Sequence, residues 1–151
     1  MKKRWLVLAI TLTVMTAVVF GCAKSRPPTK KPAKPKIPEK ITLGEGKEPV
    51  LKVYDIKEHS IKAMKLEDYV AGVVAGEAEN YWPVEALAAQ AILARTYVLE
   101  FIQDKGGSKY ADAHVSTDFE EAQAWNPDNI NDKIKEAVKM TRGEVVTYKG
   151  K

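Results

Sequence analysis

Residues 66–97 constrain the fold of this 151-residue chain more than any other stretch, because two helical patterns meet there. The first pattern places apolar side chains three and four residues apart, as on the packed side of an amphipathic helix. Its members are Leu66, Tyr69, Val70, Val73 and Val74. After a short polar turn, Pro83 suits the first position of a second helix, which is rich in alanine to about Ile102. We therefore expect two helices around residues 66–102 that pack together.

Glu77 continues the apolar pattern of the first helix, four residues beyond Val73. At about 100° per residue its side chain is expected on the packed side, whereas Glu79 points away from it. A carboxyl group in apolar surroundings holds its proton more tightly than one in water, as a general acid requires. The alternative is a structural role, in which Glu77 lies at the rim of the core or pairs with Arg95.

Short strands are predicted on either side of this helical pair. Residues 51–56 and 61–64 alternate in polarity around a turn at 57–60, which indicates a β-hairpin. Residues 104–125 contain Gly106 and Gly107 and show no sustained period, so we expect a long loop. A last helical stripe runs from Ile130 to Thr141 and is expected to close at Gly143, before a strand at 144–148. The predicted fold class is α+β, with a helical pair packed on short antiparallel strands.

Several strings in this region resemble the SpoIID/LytB family: LEDYVAGVVAGE at 66–77, WPVEAL at 82–87, AQA at 89–91 and ARTY at 94–97. The resemblance implies a peptidoglycan lytic transglycosylase or an amidase enhancer, with Glu77 in the place of the catalytic glutamate. One departure is that Ala78 and Glu79 stand where the family usually has Met-Pro. The family domain continues beyond residue 151, so residues 41–151 are expected to be its first part, truncated at the C-terminus.

The loop carries a second part of the resemblance, in VSTD at 115–118 and QAW at 123–125. Ser116, Ala122 and Glu121 stand where zinc-binding relatives have Cys, Cys and His, so we expect no metal and no cofactor. Three residues are predicted to line a sugar groove: Asp118, Gln123 and Trp125. The alternative for these three residues is loop packing and capping.

The N-terminus resembles a bacterial lipoprotein signal at residues 1–22. A basic start precedes an apolar run at 5–20, which would reach roughly 24 Å as a helix, short of a bilayer core of about 30 Å. The run ends in a sequence like a lipobox, so Cys22 is predicted to carry lipid; the alternative is an uncleaved signal anchor. Residues 23–40 are rich in proline and lysine and are predicted to form a linker. We expect an extracytoplasmic domain, lipid-anchored to a bacterial membrane.

Charge narrows the choice of partner. The chain has a formal net charge of +4, but its lysines crowd the leader and linker, and residues 41–151 are net acidic. We therefore expect no binding to nucleic acid. The function that the family resemblance favours is a lytic transglycosylase, which would cleave glycan strands with a single Glu and give 1,6-anhydro products. The alternative is a non-catalytic amidase enhancer or cell-wall binding protein. The expected partners are the glycan strands of peptidoglycan and, for an enhancer, a cell-wall amidase.

Overall fold

A computed structural model of the protein describes residues 36–148. Cys22, the predicted signal and most of the predicted linker lie outside the described residues. Within residues 36–148, no helix is both long and apolar enough to cross a membrane. The described part contains four strands and three helices, which confirms the predicted α+β class.

The sheet is built around its central strand. The strands are β1 (Thr42–Leu43), β2 (Pro49–Asp55), β3 (Ser60–Lys65) and β4 (Val115–Ser116). β2 pairs with β3 from Val50 to Asp55 in antiparallel register, so the predicted hairpin is confirmed. β1 pairs antiparallel with the start of β2, and β4 pairs parallel with its end. β4 lies inside the region predicted to be a loop, because a two-residue strand leaves no periodic pattern.

The helices are α1 (Leu66–Glu77), α2 (Val84–Lys105) and α3 (Asp132–Met140). α1 follows β3 without a break, and its apolar stripe is buried as predicted. Residues of β2, all three helices and β4 form one core. Fully buried members of this core include Leu51, Tyr69, Leu87, Val115 and Ile134. α2 ends at Gly106, whose φ of +78° is the left-handed conformation that closes many helices.

Residues 78–83, the interhelix turn, join α1 to α2 and are also bonded to α3. Asn131 uses both ends of its side-chain amide for this purpose. Its Oδ1 accepts a hydrogen bond from the Ile134 N–H at 3.0 Å, which caps α3, and its Nδ2 donates to the Asn80 carbonyl at 2.9 Å. The turn and the start of α3 are therefore fixed to each other by one side chain.

The predicted strand at 144–148 is wrong, because this segment joins no sheet in the described structure. Gly143 does turn the chain after α3, with a φ of +74°. Beyond it, the Glu144 carbonyl accepts a hydrogen bond from Arg95 at 2.9 Å, and the Val146 N–H donates to Thr96 Oγ1 at 2.9 Å. Side chains of α2 thus form hydrogen bonds with backbone groups that, in a strand, would bond to a neighbouring strand.

Candidate functional site

Glu77 lies at the C-terminal end of α1 and is exposed, so the prediction that it points to the packed side is wrong. The buried stripe stops at Ala75, and the chain leaves the helix at Ala78. Glu77 Oε1 accepts a hydrogen bond from the Ala124 N–H at 2.8 Å. Among residues 36–148 the structure gives no partner for Oε2. One carboxylate oxygen is therefore held by the backbone, and the other has no hydrogen-bond partner among the described residues.

The Ala124 N–H reaches Glu77 because the loop packs directly on the backbone of α1. Gly72 and Gly76 lie one turn apart on this side of the helix. A Cβ at Gly76 would lie 2.6 Å from the Ala124 oxygen, and one at Gly72 would overlap the indole ring of Trp125. The Asn126 N–H donates to the Gly72 carbonyl at 2.9 Å. We call residues 122–126 the docked segment; its position requires both glycines.

Two predicted groove residues belong to the docked segment, and the structure brings both next to α1. Gln123 is 8% exposed, and Trp125 packs against the core. Gln123 Oε1, Trp125 Nε1 and the Tyr69 hydroxyl are buried without a hydrogen-bond partner among the described residues. Burial, with smaller contributions from Tyr97, Glu121 and Glu77, raises the pKa of Tyr69, so its hydroxyl stays protonated. On this side of the site the polar atoms are therefore buried within the fold and do not line an open groove.

Asp118, the third predicted groove residue, is held by groups of its own loop. Its carboxylate accepts hydrogen bonds from Lys109 Nζ at 2.7 Å, Tyr110 Oη at 3.3 Å and the Glu120 N–H at 3.1 Å. The hydrogen bond from Lys109 is the main reason that the pKa of Asp118 lies below its ordinary value. This geometry fits the structural alternative, in which Asp118 organises the loop.

Glu121 organises the same loop, a role that the sequence reasoning did not anticipate. Its carboxylate accepts hydrogen bonds from the Ser108 hydroxyl at 2.7 and 3.0 Å, from the Lys109 N–H and from the Ser116 hydroxyl. Ser116 belongs to β4 and is fully buried. Ser116 and Glu121, two of the positions at which the resemblance predicted a departure from a zinc site, are therefore joined by a hydrogen bond. Across residues 36–148, no group of three or more His, Cys, Asp or Glu is placed to hold a metal ion.

Arg95 does not pair with Glu77, which corrects the structural alternative for that glutamate. It is 1% exposed and binds Glu67 through two hydrogen bonds, Nε to Oε1 at 3.0 Å and Nη2 to Oε2 at 2.6 Å. Nη1 also donates to the Ala91 and Glu144 carbonyls, at 3.4 and 2.9 Å. Arg95 thereby holds the start of α1, the middle of α2 and the segment after α3 together, far from Glu77.

A shallow cavity between α1 and α3 lies at the other end of α1. Its lining residues are Glu67, Asp68, Ala71, Lys135, Val138, Lys139 and Arg142. Ten residues of helix, about 15 Å, separate Glu67 from Glu77. This cavity is therefore separate from the candidate site.

The fold and site define an α+β domain in which a helical hairpin presents an exposed glutamate beside a docked loop. The SpoIID family, described as Stage II sporulation protein, matches residues 54–148. The chain therefore belongs to the SpoIID family, as its motifs suggested.

The chain is also similar to three known proteins, two of which are named Stage II sporulation protein D. The chain is 37% identical over 92 residues to an uncharacterized protein of Brachyspira hyodysenteriae, covering 60% of this chain and 24% of that protein. It is 32% identical over 150 residues to Stage II sporulation protein D of Bacillus amyloliquefaciens, covering 87% and 42%. It is 32% identical over 108 residues to Stage II sporulation protein D of Bacillus subtilis, covering 64% and 32%. The chain spans less than half the length of each of these relatives.

Proposed function

We propose that this protein is a lytic transglycosylase that cleaves the glycan strands of peptidoglycan, with Glu77 as both acid and base. The observation that carries the proposal is that Glu77 is exposed and that its carboxyl group is oriented by a hydrogen bond from the Ala124 N–H to Oε1 at 2.8 Å. A catalytic carboxyl needs this combination of access and fixed orientation. Membership of the SpoIID family supports a role at the cell wall.

The proposed reaction needs one carboxyl group, whereas most glycoside hydrolases use two. Protonated Glu77 gives its proton to the glycosidic oxygen as the bond between that oxygen and the sugar C1 breaks. The resulting carboxylate accepts the proton of the 6-hydroxyl of the same sugar. The 6-oxygen then bonds to C1 and closes a 1,6-anhydro ring. Glu77 ends the cycle protonated, and no water is consumed.

The proposed location follows from the N-terminal sequence. The basic start, the apolar run and Cys22 support a signal followed by lipid attachment. The linker at 23–40 would let the domain reach the wall from the membrane surface.

A second candidate function is a non-catalytic amidase enhancer that binds the wall or a wall amidase. The exposure of Glu77 favours this function, because the sequence predicted a catalytic glutamate on the packed side of α1 and the structure places Glu77 at the surface. The two candidates differ in whether purified protein releases anhydro sugars from glycan.

The test compares Glu77→Gln with Glu79→Gln. The amide at position 77 keeps an oxygen that can accept from Ala124 but cannot donate a carboxyl proton, so turnover should fall by about 10²- to 10⁴-fold. Glu79 is also exposed and lies two residues further on, so its variant is a matched control with the expected wild-type rate. Chromatography of the anhydro-muramyl products released from peptidoglycan measures the turnover of both variants. A wild-type rate for Glu77→Gln would remove Glu77 from the mechanism, and amidase stimulation without any glycan cleavage would select the enhancer.

A further inference from the structure

The interhelix turn presents two aromatic side chains to solvent beside the candidate site. Tyr81 is 71% exposed and Trp82 is 40% exposed. Neither ring stacks on another aromatic ring in the part of the chain that the structure describes. Burying large aromatic side chains is strongly favourable, and exposed ones with a polar atom at the edge are typical of binding surfaces.

The turn that carries these two rings is fixed at three points. The Ala78 N–H donates to the Val74 carbonyl at 3.0 Å, and the Trp82 N–H donates to the Glu79 carbonyl at 3.0 Å. Asn131 binds the Asn80 carbonyl from α3, as described above. The backbone that carries the rings is therefore ordered before any ligand arrives, so a ligand would lose little free energy in ordering it.

The turn begins directly after Glu77. Even a fully extended chain could separate the Cα atoms of Glu77 and Trp82 by no more than about 18 Å, and a turn is shorter. The rings therefore lie within a few sugar units of a glycosidic bond held at Glu77.

We propose that Tyr81 and Trp82 form a sugar-stacking subsite for the glycan strand on which Glu77 acts. This inference rests on the proposed function, because it takes its ligand from that reaction. A pyranose ring has apolar faces of C–H groups and a polar edge of hydroxyl and acetamido groups. The electron-rich faces of the aromatic rings bind the C–H groups, while the Tyr81 hydroxyl and the Trp82 indole N–H form hydrogen bonds with the polar groups at the edge of the sugar.

The charge around the turn favours a glycan over two other occupants of an aromatic surface. Glu77 and Glu79 are both exposed here, and residues 77–83 contain no basic residue. An anionic membrane surface would be repelled by these carboxylates. A second copy of the chain seated on the same patch would also bring like charges together. An amino-sugar polymer is compatible with both the rings and the carboxylates.

The test measures binding without turnover, in the full chain carrying Glu77→Gln. The probe is chitohexaose, a soluble oligomer of N-acetylglucosamine, titrated by isothermal calorimetry. Trp82→Ala and Tyr81→Ala should each weaken binding about three- to tenfold, from the usual strength of aromatic contacts. Trp82→Phe should keep most of the affinity. Leu93→Ala is the matched control, because Leu93 is 54% exposed on α2 and should not affect binding.

Unchanged chitohexaose affinity in folded Trp82→Ala and Tyr81→Ala proteins, checked by circular dichroism, would overturn the subsite. If the two alanine variants keep their chitohexaose affinity but no longer sediment with anionic vesicles, the patch binds a membrane and the subsite is overturned. If they lose only self-association, the patch binds a second copy of the chain, and the subsite is overturned as well. In otherwise wild-type protein, Trp82→Ala should raise KM for glycan and leave kcat unchanged. If Glu77→Gln alone leaves turnover intact while Trp82→Ala weakens binding, the proposed mechanism fails and the subsite stands.

Discussion

Replacing Gly76 by alanine tests whether the docked segment positions Glu77, because two effects on stability oppose each other there. Alanine favours the helix over glycine by up to about 1 kcal/mol, which is the value for a helix interior, and Gly76 lies in the last turn of α1. Against this, the new Cβ would lie 2.6 Å from the Ala124 oxygen, 2.7 Å from its carbonyl carbon and 2.9 Å from the Trp125 nitrogen. These are backbone atoms, so no side-chain rotation can relieve the overlap.

The docked segment must therefore move away from α1. Overpacking of this kind typically costs about 1–3 kcal/mol. The hydrogen bond from Ala124 to Glu77 would lengthen or break, which adds only about 0.5 kcal/mol because water can replace it at an exposed carboxylate. The overlap exceeds the gain in helix propensity, and we expect the free energy of unfolding to fall by about 1–2 kcal/mol, several degrees in Tm. Under the proposed mechanism, glycan cleavage should fall as well.

Urea unfolding and anhydro-sugar release measure the two effects. Ala89→Gly is the control, since Ala89 is exposed in α2 and its replacement should lower stability by about 1 kcal/mol without moving the docked segment. Its rate of glycan cleavage should stay at the wild-type value. A Gly76→Ala protein that is more stable than wild type, by up to about 1 kcal/mol as helix propensity alone predicts, would refute the close approach of loop and helix.

Two further predictions concern stability. Glu67→Ala should lower the free energy of unfolding by about 3 kcal/mol or more, because it leaves the buried Arg95 charge without its carboxylate. A loss below about 1 kcal/mol in urea unfolding is typical of exposed ion pairs and would contradict this expectation. Burial, followed by the charge of Lys52, lowers the pKa of His114, whose Nδ1 accepts a hydrogen bond from the Lys52 N–H at 3.1 Å. Because the unfolded chain then binds the proton more tightly, stability should fall as the pH drops below about 6.5. His114→Asn keeps an acceptor and should flatten the profile between pH 7.5 and 5, and an equally steep profile would contradict the assignment.

Local patterns predicted most of the secondary structure. The hairpin and the buried stripe of α1 follow from periodicities that neighbouring residues alone create. The segment at 144–148 has the same strand-like composition but pairs with no strand in the described structure. Its backbone groups instead bond to Arg95 and Thr96, a tertiary fact that propensity does not contain.

The partner of Arg95 was available from the sequence by a simple geometric argument. In two helices joined by a short turn, residues equally distant from the turn lie side by side, because both helices rise by the same length per residue. Glu67 and Arg95 are each 14 residues from Tyr81. Glu77 is only four residues from that point, so its counterpart is the start of α2.

The exposure of Glu77 and the docked segment were beyond this reasoning. A helical stripe gives the direction of a side chain but not how far along the helix the core extends. Gly76 and Ala124 are 48 residues apart in the sequence, so no local pattern predicts their contact. Gly72 and Gly76, one turn apart, were the available sign of a close backbone approach on α1.

Asn131 makes the ends of two distant elements depend on each other. One orientation of its side chain places the carbonyl oxygen to cap α3 and the amide nitrogen to reach Asn80. The two contacts therefore share a coupling free energy, and such coupling is reciprocal. A ligand that stabilises the interhelix turn should therefore also slow hydrogen exchange in the first turn of α3. Conversely, fraying of α3 should increase the mobility of Tyr81 and Trp82.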